Sequence, residues 1–336
     1  MREPDFWYRG DGGWPRRALM PVGWLYGRAV RARFAVTTPW YAPIPVICVG
    51  NPGLGGGGKT PTVLAVAARL TAMGESPHCL SRGYGGREAG PLTVDTERHQ
   101  ASDVGDEPLL LAKCVPTHIA GNRRAGAAHA AKAGASVIVM DDGYQNPTVA
   151  KSAGLLVVDG ASGLGNGAVF PAGPLREPLG PQIDRADALV VVGQGRAGDA
   201  AARHARAAGC PVLAATLKVG DGAPDLAGRA VVGFCGIAKP DKFAQSLKEA
   251  GADLRELIAF PDHHLFSVAD VARVLETAER LGSTPVTTEK DFVRLSGAND
   301  MIDRLRAASL VLPVVMEFEK TGELDAILRK ALGPAQ

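Results

Sequence analysis

A glycine-rich loop between an apolar run and a helical pattern constrains the fold of this chain more than any other feature. The segment is IPVICVGNPGLGGGGKTPTV at residues 44–63. Residues 44–49 have the apolar, β-branched composition of a buried parallel strand. From Thr60 onward the spacing of apolar residues predicts a helix, and Pro61 is tolerated in its first turn. A strand, a loop and a helix in this order indicate the first unit of an α/β fold.

The loop itself fits the phosphate-binding pattern G-x-x-x-x-G-K-[ST]. The residues that we predict to bind a nucleotide are Gly53, Gly55, Gly56, Gly57, Gly58, Lys59 and Thr60. Glycines allow backbone N–H groups to curl around phosphates, the helix N-terminus and Lys59 add positive charge, and the Thr60 hydroxyl can hold Mg²⁺. The alternative is a flexible loop that fits the pattern by chance, because the chain contains 42 glycines.

Length, charge and cysteine content narrow the class of protein. The chain has 336 residues, enough for two domains or for one large α/β unit with an appended lobe. Its net charge of +2 argues against a nucleic-acid partner. The five cysteines form no C-x-x-C motif and are expected to be buried free thiols in a reducing compartment. Because we find neither a run of about eighteen apolar residues nor a secretory signal, we expect the protein in the cytoplasm or on its membrane.

Residues 1–43 differ in composition from the rest of the chain. They contain all four tryptophans and three of the five tyrosines. Residues 15–36 form a helical pattern that combines apolar and aromatic residues with five arginines and no acid. This combination is typical of an interfacial helix that lies on an anionic membrane. The alternative is a helix packed on the core with a solvated arginine face.

Strands and helices alternate along the rest of the chain, which predicts a doubly wound, mostly parallel sheet. Ligands bind such sheets at the carboxyl ends of the strands. The apolar strand predicted at 135–140 ends there in Asp141 and Asp142. A carboxylate beside a phosphate loop binds Mg²⁺ directly or through water, so we predict that Thr60, Asp141 and Asp142 serve the metal. A turn is the alternative interpretation of the aspartates.

Other charged residues also follow predicted strands. Arg82 and Lys290 are candidates for the site, with an exposed turn as the alternative for each. Asp106 precedes an apolar helix, and by itself this position indicates helix capping. In FPDHHLF, one of the adjacent histidines His263 and His264 is a candidate acid–base partner or phosphate contact, and Asp262 is a candidate helix cap. The adjacent histidines do not favour a zinc site, because no other His or Cys cluster accompanies them.

We predict four segments from these patterns. Residues 1–43 form a membrane-associating segment, and residues 44–185 form a P-loop core. Residues 186–300 form a smaller α/β lobe. Residues 301–336 contribute a C-terminal strand and helix that pack back on the core.

Eight motifs in a fixed order carry a resemblance to a known family. They are VGNPGLGGGGKTPTV (49–63), SRGYGG (81–86), VGDEPLLLA (104–112), DDGYQN (141–146), GNGAVFPAGPLREP (165–178), GIAKPDKF (236–243), FPDHHLF (260–266) and TTEKD (287–291). Any one of these motifs identifies the family only weakly, but the eight together are highly specific for it. Over nearly its whole length the chain resembles the tetraacyldisaccharide 4'-kinases, the lipid A 4'-kinases of Gram-negative bacteria.

The resemblance implies a fold and an activity. The fold is a P-loop NTPase core joined by a hinge to a smaller α/β lobe that closes over the nucleotide. The reaction transfers the γ-phosphoryl group of ATP to the 4'-hydroxyl of a tetraacylated glucosamine disaccharide 1-phosphate and gives lipid IVA, a lipid A precursor. The family works as a peripheral protein at the cytoplasmic face of the inner membrane.

The resemblance also implies roles for individual residues. By the family pattern, Asp106 is the base that accepts the proton of the 4'-hydroxyl, and His263 assists it. This role replaces the capping interpretation of Asp106. Lys59, Mg²⁺ and Arg123 neutralise the charge of the phosphates, which is most of what phosphoryl transfer requires. The phosphate-binding and metal residues are those named above.

Two positions depart from the family pattern, and two other functions remain open on the residues alone. Asn146 stands where the family usually has His, and Gly57 where it commonly has Thr. A regulatory or assembly ATPase shares the loop and the aspartates. A P-loop kinase for a soluble small molecule shares them too, and in that protein the arginine-rich helix is simply packed on the core.

Overall fold

Strands and helices alternate through most of the structure, a computed structural model that describes residues 3–55, 57–296 and 299–333. The strands are β1 Val46–Gly50, β2 Pro77–Ser81, β3 Leu92–Thr93, β4 Thr117–Ile119, β5 Val137–Asp141, β6 Ala153–Asp159, β7 Ala188–Val192, β8 Val212–Val219, β9 Ala230–Cys235, β10 Asp253–Ala259, β11 Thr284–Thr288, β12 Leu310–Leu312 and β13 Val314–Phe318. The α-helices are α1 Gly13–Val36, α2 Lys59–Ala72, α3 Ala101–Val104, α4 Asp106–Ala112, α5 Arg123–Lys132, α6 Leu179–Asp184, α7 Arg196–Ala207, α8 Pro240–Glu249, α9 Val268–Arg280, α10 Glu289–Phe292, α11 Asp300–Ala308 and α12 Thr321–Leu332.

The larger sheet has the strand order β13-β8-β7-β6-β1-β5-β2-β4-β3. Its neighbouring strands are parallel except for the pairs β13–β8 and β3–β4 at the two edges. The predicted doubly wound, mostly parallel sheet is confirmed. Since β1 lies between β5 and β6, the phosphate loop emerges beside the carboxyl ends of both neighbours. Asp141 and Asp159, the last residues of β5 and β6, are thereby placed next to the loop.

Helices cover both faces of the larger sheet, because its central strands are buried on both sides. On one face, α2 and α12 bury side chains such as Leu70 and Leu324 against the strands. On the other face, small residues such as Ala127 of α5 and Ala201 of α7 allow close approach. Burying a leucine contributes about 1.5–3 kcal/mol relative to leaving it exposed. The packing therefore holds α2, and with it the end of the phosphate loop, firmly on the sheet.

A second sheet of parallel strands, in the order β10-β9-β11-β12, forms a smaller lobe with α8, α9 and α11. The chain enters this sheet at Ala230. The boundary predicted at residue 186 assigned β7 and β8 to the smaller lobe. Both strands instead extend the larger sheet, because β7 pairs with β6 and β8 pairs with β7.

The single strand predicted in the C-terminal segment is two strands in different sheets. β12 pairs with β11 in the smaller lobe, whereas β13 pairs with β8 in the larger sheet. Pro313 lies between them, and proline lacks the N–H that an uninterrupted ladder requires. The chain therefore crosses between the lobes a second time, and α12 packs on the larger sheet.

The predicted N-terminal helix is α1, which packs through its glycines. Its buried residues are Gly23 and Gly27. A Cβ atom at Gly23 would lie 2.7 Å from the carbonyl oxygen of Val169, so α1 lies directly against the loop 163–178. The large apolar residues of α1 that remain exposed are Trp14, Met20, Val22, Trp24, Leu25, Tyr26 and Val36. Among the described residues, the search for a helix both long and apolar enough to span a bilayer finds none.

Candidate active site

The phosphate loop connects β1 to α2 and is fixed in shape by glycine. Gly55 and Gly58 have φ angles of +106° and +84°, in the left-handed region that favours glycine. The first half of the loop is held by the segment before α6, because the Leu54 amide donates to the Pro174 carbonyl at 2.8 Å. Gly56 lies outside the described residues.

The positions that depart from the family pattern have local explanations. A Cβ atom at Gly57 would lie 2.4 Å from Asn51 Nδ2, so a larger residue there requires Asn51 to move. Asn146 holds a turn, since its Oδ1 accepts from the amide and the hydroxyl of Thr148 at 2.9 and 2.6 Å. Gln145 Nε2, by contrast, donates to the Asn51 carbonyl at 2.9 Å and so supports the start of the phosphate loop.

Lys59 and Asp142 meet at the start of α2. Lys59 Nζ lies 3.6 Å from Asp142 Oδ2. Arg176 donates from its two Nη atoms to the two carboxylate oxygens of Asp142, each at 2.9 Å, and from Nε to the Gly53 carbonyl at 3.1 Å. Burial raises the pKa of Asp142, but the charges of Lys59 and Arg176 outweigh that effect and lower it. Arg176 was not predicted as a site residue, although it lies in one of the eight motifs and in a long loop of low charge.

Asp141 has the surroundings of a metal ligand. Its side chain is 1% exposed, Ser81 Oγ lies 3.4 Å from Oδ2, and among the described residues Oδ1 has no hydrogen-bond partner. Burial raises the pKa of Asp141, and the charges of Glu107 and Asp142 raise it further. A buried, unpaired carboxylate oxygen beside a phosphate loop suits Mg²⁺, a hard cation with oxygen ligands.

The protein would supply few ligands to such a metal site. Thr60 is buried in the first turn of α2, beside the loop that Asp141 faces. Within residues 3–55, 57–296 and 299–333, there is no group of three or more His, Cys, Asp and Glu side chains in a metal-binding arrangement. An ion held by Thr60 and Asp141 would therefore complete its shell with water and phosphate oxygens, as Mg²⁺ does in nucleotide sites.

Arg123 lies behind the aspartates. It is the first residue of α5 and is 4% exposed. Its Nη1 donates to the Ala120 carbonyl at 3.0 Å, and its Nη2 lies 3.5 Å from the backbone carbonyl of Asp141. Burial lowers the pKa of the guanidinium. In this structure Arg123 thus supports the end of β5. Arg82, the other candidate near this edge, is exposed at the end of β2.

Asp106 and His263 meet across the two lobes. His263 Nδ1 lies 3.1 Å from Asp106 Oδ2, and Arg294 donates from Nε and Nη2 to the same oxygen, with Nε at 2.7 Å. Lys290 Nζ lies 4.0 Å from it. Burial raises the pKa of Asp106, but the hydrogen bond to His263 and the charges of Lys290 and Arg294 outweigh it and hold the pKa well below the usual range. Asp106 is therefore a carboxylate at neutral pH.

The backbone singles out two of the predicted residues. Among the described residues other than glycine, those with positive φ are Asp142 at +50° and His263 at +57°. Such conformations cost energy and concentrate at functional sites. His264, the neighbour of His263, points elsewhere, since it stacks on Phe260 at 4.9 Å and lies 2.9 Å from Asp270. His263 thus faces Asp106 of the core, whereas His264 packs within the smaller lobe.

A cavity of about 230 Å³ joins the phosphate loop to the smaller lobe. Lys59 and Thr60 line one side, and Asp262 and Lys290 line the other. Lys290 Nζ also pairs with Glu107 at 3.1 Å. The structure therefore brings together the two halves of the predicted site, which are some 200 residues apart in the sequence.

A second link between the lobes was not predicted from the sequence. Asp159, at the end of β6, pairs with Lys239 at 2.7 Å and with Lys242, both from the smaller lobe. Burial raises the pKa of Asp159, but its hydrogen bonds to the lysines outweigh that effect and lower it. All three residues line the same cavity as Lys59. The sequence signals were the position of Asp159 at a strand end and the presence of both lysines in the motif GIAKPDKF (236–243).

Comparisons with known proteins agree with the motifs. A family model described as tetraacyldisaccharide-1-P 4'-kinase, LpxK, matches residues 15–333. The chain is 50% identical over 319 residues to the tetraacyldisaccharide 4'-kinase of Parvibaculum lavamentivorans, covering 94% of this chain and 93% of the relative. It is 50% identical over 337 residues to that of Nitrobacter hamburgensis, covering all of both chains. A crystal structure of LpxK from Aquifex aeolicus, described as an "apo" form in complex with ATP, superposes with a TM-score of 0.74 at 26% identity, covering 95% of this chain and 99% of that one.

Proposed function

The chain belongs to the tetraacyldisaccharide-1-P 4'-kinase family, and on this premise we propose how its residues carry out the family's reaction. It is a kinase of lipid A biosynthesis that phosphorylates the 4'-hydroxyl of a tetraacyldisaccharide 1-phosphate, with ATP as the donor. The observation that carries the proposal is the cavity between the phosphate loop and Glu107, Asp262 and Lys290. Glu107 and Asp262 are the sequence neighbours of Asp106 and His263, which contact each other across the lobes. Family membership removes the two alternatives left open above, the regulatory ATPase and the kinase for a soluble molecule.

The phosphate loop and Lys59 bind the phosphates of ATP. Backbone amides at the N-terminus of α2 point toward the anion, and Lys59 supplies a full positive charge. Arg176 and Asp142 hold Lys59 in place through the ion pairs described above. The ATP complex of the Aquifex aeolicus protein supports this assignment.

Thr60 and Asp141 are the residues that would hold Mg²⁺. Asp141 supplies a buried oxygen that has no hydrogen-bond partner among the described residues, whereas both carboxylate oxygens of Asp142 already accept from Arg176. Asp142 therefore does not bind the metal itself and instead positions Lys59 beside the metal site. When bound, Mg²⁺ neutralises negative charge on the phosphate oxygens of the transferring group.

Asp106 orients the 4'-hydroxyl and accepts its proton, and His263 assists by its hydrogen bond to Oδ2. The low pKa of Asp106 makes it a weak base, but phosphoryl transfer passes through a loose transition state in which placement of the hydroxyl matters most. The pair is complete only when the smaller lobe lies against the core. Water is then excluded while ATP is exposed to the acceptor, which suppresses hydrolysis.

The lipid substrate reaches this site from a membrane surface in the proposed scheme. The exposed Trp24 and Leu25 of α1 would enter the interface, and the arginines of the helix would face anionic headgroups. We place the protein at the cytoplasmic face of the inner membrane as a peripheral enzyme, since that surface carries the lipid precursor.

A direct assay tests the activity. The purified chain is incubated with Mg²⁺, ATP and tetraacyldisaccharide 1-phosphate in mixed micelles, and the product is analysed by mass spectrometry. We expect one added phosphate, and none on an analogue whose 4'-hydroxyl is methylated. ATP turnover without phosphorylated lipid would contradict the function.

A pair of variants tests the Asp106–His263 assignment within that assay. His263→Asn should lower kcat by about 10²- to 10⁴-fold, the contribution typical of general acid–base catalysis. The matched control is His264→Asn, because His264 is adjacent in sequence but stacks on Phe260 away from the cavity. Equal effects of the two variants would refute the role of His263.

A further inference from the structure

Arg294 is a buried cation of the smaller lobe whose donors converge on the proposed catalytic pair. Arg294 follows α10, and the residue is 4% exposed. On one side, Nε and Nη2 donate to Asp106 Oδ2 of the core. On the other side, Nη1 donates to the Gly236 carbonyl at 2.6 Å and to Asp291 Oδ1 at 2.7 Å. The guanidinium thus joins two buried carboxylates from different lobes.

The same contacts reach the backbone of His263. The carbonyl of Gly236, which accepts from Arg294, also accepts from the His263 amide at 3.1 Å. Asp291 Oδ1 accepts in addition from the Gly236 amide at 2.9 Å. Because His263 has a strained, positive φ, its backbone needs such fixed partners to remain in place. Arg294 therefore contacts one member of the pair directly and supports the other through Gly236.

The two carboxylate oxygens of Asp106 have different hydrogen-bond partners. Oδ2 accepts from Arg294 and lies within hydrogen-bond distance of His263. Oδ1 accepts from the Glu107 amide at 2.9 Å, the one partner we find for it in the described parts of the chain. A carboxylate oxygen has two lone pairs, so Oδ1 keeps one free for a hydroxyl. The arrangement leaves a single oxygen to receive the acceptor.

We propose that Arg294 is a positioning residue, which fixes Asp106 Oδ2 so that Oδ1 faces the 4'-hydroxyl once the smaller lobe has closed on the core. The proposal rests on the proposed role of Asp106. A guanidinium suits this task because its planar fork binds a carboxylate and two further acceptors at fixed angles. A lysine supplies the charge but not the fork.

The charge of Arg294 has a second effect on Asp106. The titratable and charged groups around this carboxylate are Glu107, Asp262, His263, Lys290, Asp291 and Arg294. Removing the guanidinium leaves Asp106 and Asp291 buried with less positive charge, and burial then favours the protonated acid. Kinase activity of such a variant should decline at mildly acidic pH, where the parent enzyme keeps Asp106 ionised.

Two variants of Arg294 in the full chain test the proposal through kcat, the KM for ATP and the pH dependence of kcat. Arg294→Gln should lower kcat by about 100-fold, as expected for a misplaced catalytic group, with the KM for ATP unchanged. Its activity should fall at a higher pH than that of the parent. Arg294→Lys should restore the pH dependence, since the charge returns, while kcat stays low because the fork is missing.

The matched control is Arg306→Gln. Arg306 donates to the carbonyls of Phe292 and Leu295, so it holds the loop that carries Arg294 without touching Asp106. We expect Arg306→Gln to lower the melting temperature and to leave the pH dependence of kcat unchanged. If Arg294→Gln and Arg306→Gln behave alike, Arg294 is only structural and the proposal is wrong.

Asp106→Asn separates this proposal from the function on which it rests. Full activity of Asp106→Asn would remove the role of Asp106 itself, whatever Arg294 does. Loss of activity in Asp106→Asn, together with parental kcat and pH dependence in Arg294→Gln, would overturn the positioning role alone. Loss in both, with recovery of the pH dependence in Arg294→Lys, supports it.

Discussion

Arg176 donates to both carboxylate oxygens of Asp142, at 2.9 Å each, and Lys59 Nζ lies 3.6 Å from one of these oxygens. Arg176 also donates to the Gly53 carbonyl of the phosphate loop. One side chain therefore couples the long loop 163–178, the second aspartate of DDG and the nucleotide loop. Asp141 and Asp142 therefore have different partners although they are adjacent.

Replacing Arg176 should weaken ATP binding. Arg176→Lys keeps the charge but cannot contact Asp142 and Gly53 together, so Lys59 loses its fixed partner. We expect the Kd for ATP to rise about tenfold, which corresponds to about 1.4 kcal/mol. Isothermal titration calorimetry measures the change. Arg185→Lys is the control, because Arg185 pairs with Glu177 at 2.6 Å outside the nucleotide cavity, and unchanged affinity in Arg176→Lys would contradict the coupling.

The two aspartates should respond differently to magnesium. Asp141→Asn removes the unpaired buried oxygen, so half-maximal activity should need about tenfold more Mg²⁺, as is typical when a ligand set is weakened. Asp142→Asn should instead raise the KM for ATP, since it frees Lys59 and Arg176. Titrating Mg²⁺ at saturating ATP distinguishes the two effects, and chelation with EDTA should abolish activity in every variant. A higher Mg²⁺ requirement in Asp142→Asn alone would reverse the assignment.

The central strand, the phosphate loop and the aspartates could be predicted from the sequence because their signals are local. An apolar run, a glycine pattern and a helix start lie within twenty or so residues, and each has its own physical cause. The DDG aspartates follow from the same logic at the end of β5. Parallel strand order then brings the two segments together without further information.

Contacts between residues far apart in the sequence, such as those of Asp106 with Arg294 and His263, could not be predicted from local patterns. Arg294 reaches Asp106 only because the smaller sheet folds against α4, 188 residues away in the sequence. Asp106 alone is indistinguishable from a helix cap until His263 is placed beside it. The lobe boundary was misplaced for a related reason, since an apolar strand such as β7 fits either sheet and only pairing with β6 decides.

A buried histidine cluster makes stability depend on pH. His78 Nδ1 lies 2.9 Å from His118 Nε2, and His118 Nδ1 lies 3.0 Å from Thr93 Oγ1. Burial lowers the pKa of His118 from 6.5 to about 4. At His118 the unfolded chain therefore binds more protons than the native one within this window, and the contribution of His118 to stability falls as the pH drops from 6.5 toward 4. Asp141, whose pKa is raised to about 7, contributes in the opposite direction over the same window, so the effect of His118 is measured as a difference between variants. The depressed pKa values of Asp106 and Asp159 act only below this range.

Thermal melts across that window check the prediction. His118→Gln should be less stable than the parent at neutral pH, because it disturbs a buried hydrogen bond, but its melting temperature should vary less between pH 6.5 and 4. His204→Gln is the control, since His204 is exposed on α7. A parental slope in His118→Gln would show that another group titrates.

The exposed apolar side chains of α1 should drive membrane binding. Trp24 and Leu25 are 61% and 60% exposed, and neither lies on the glycine edge that contacts the loop 163–178. Burying either side chain in the interface should contribute about 1.5 kcal/mol, so Trp24→Ser with Leu25→Ser should weaken vesicle binding by about 100-fold. Flotation with vesicles of anionic lipid measures this effect.

Val315→Ser, at an exposed apolar position on β13, is the control. Unchanged flotation of the double variant would place the binding surface elsewhere, whereas reduced flotation with normal turnover in detergent micelles would separate membrane docking from phosphoryl transfer.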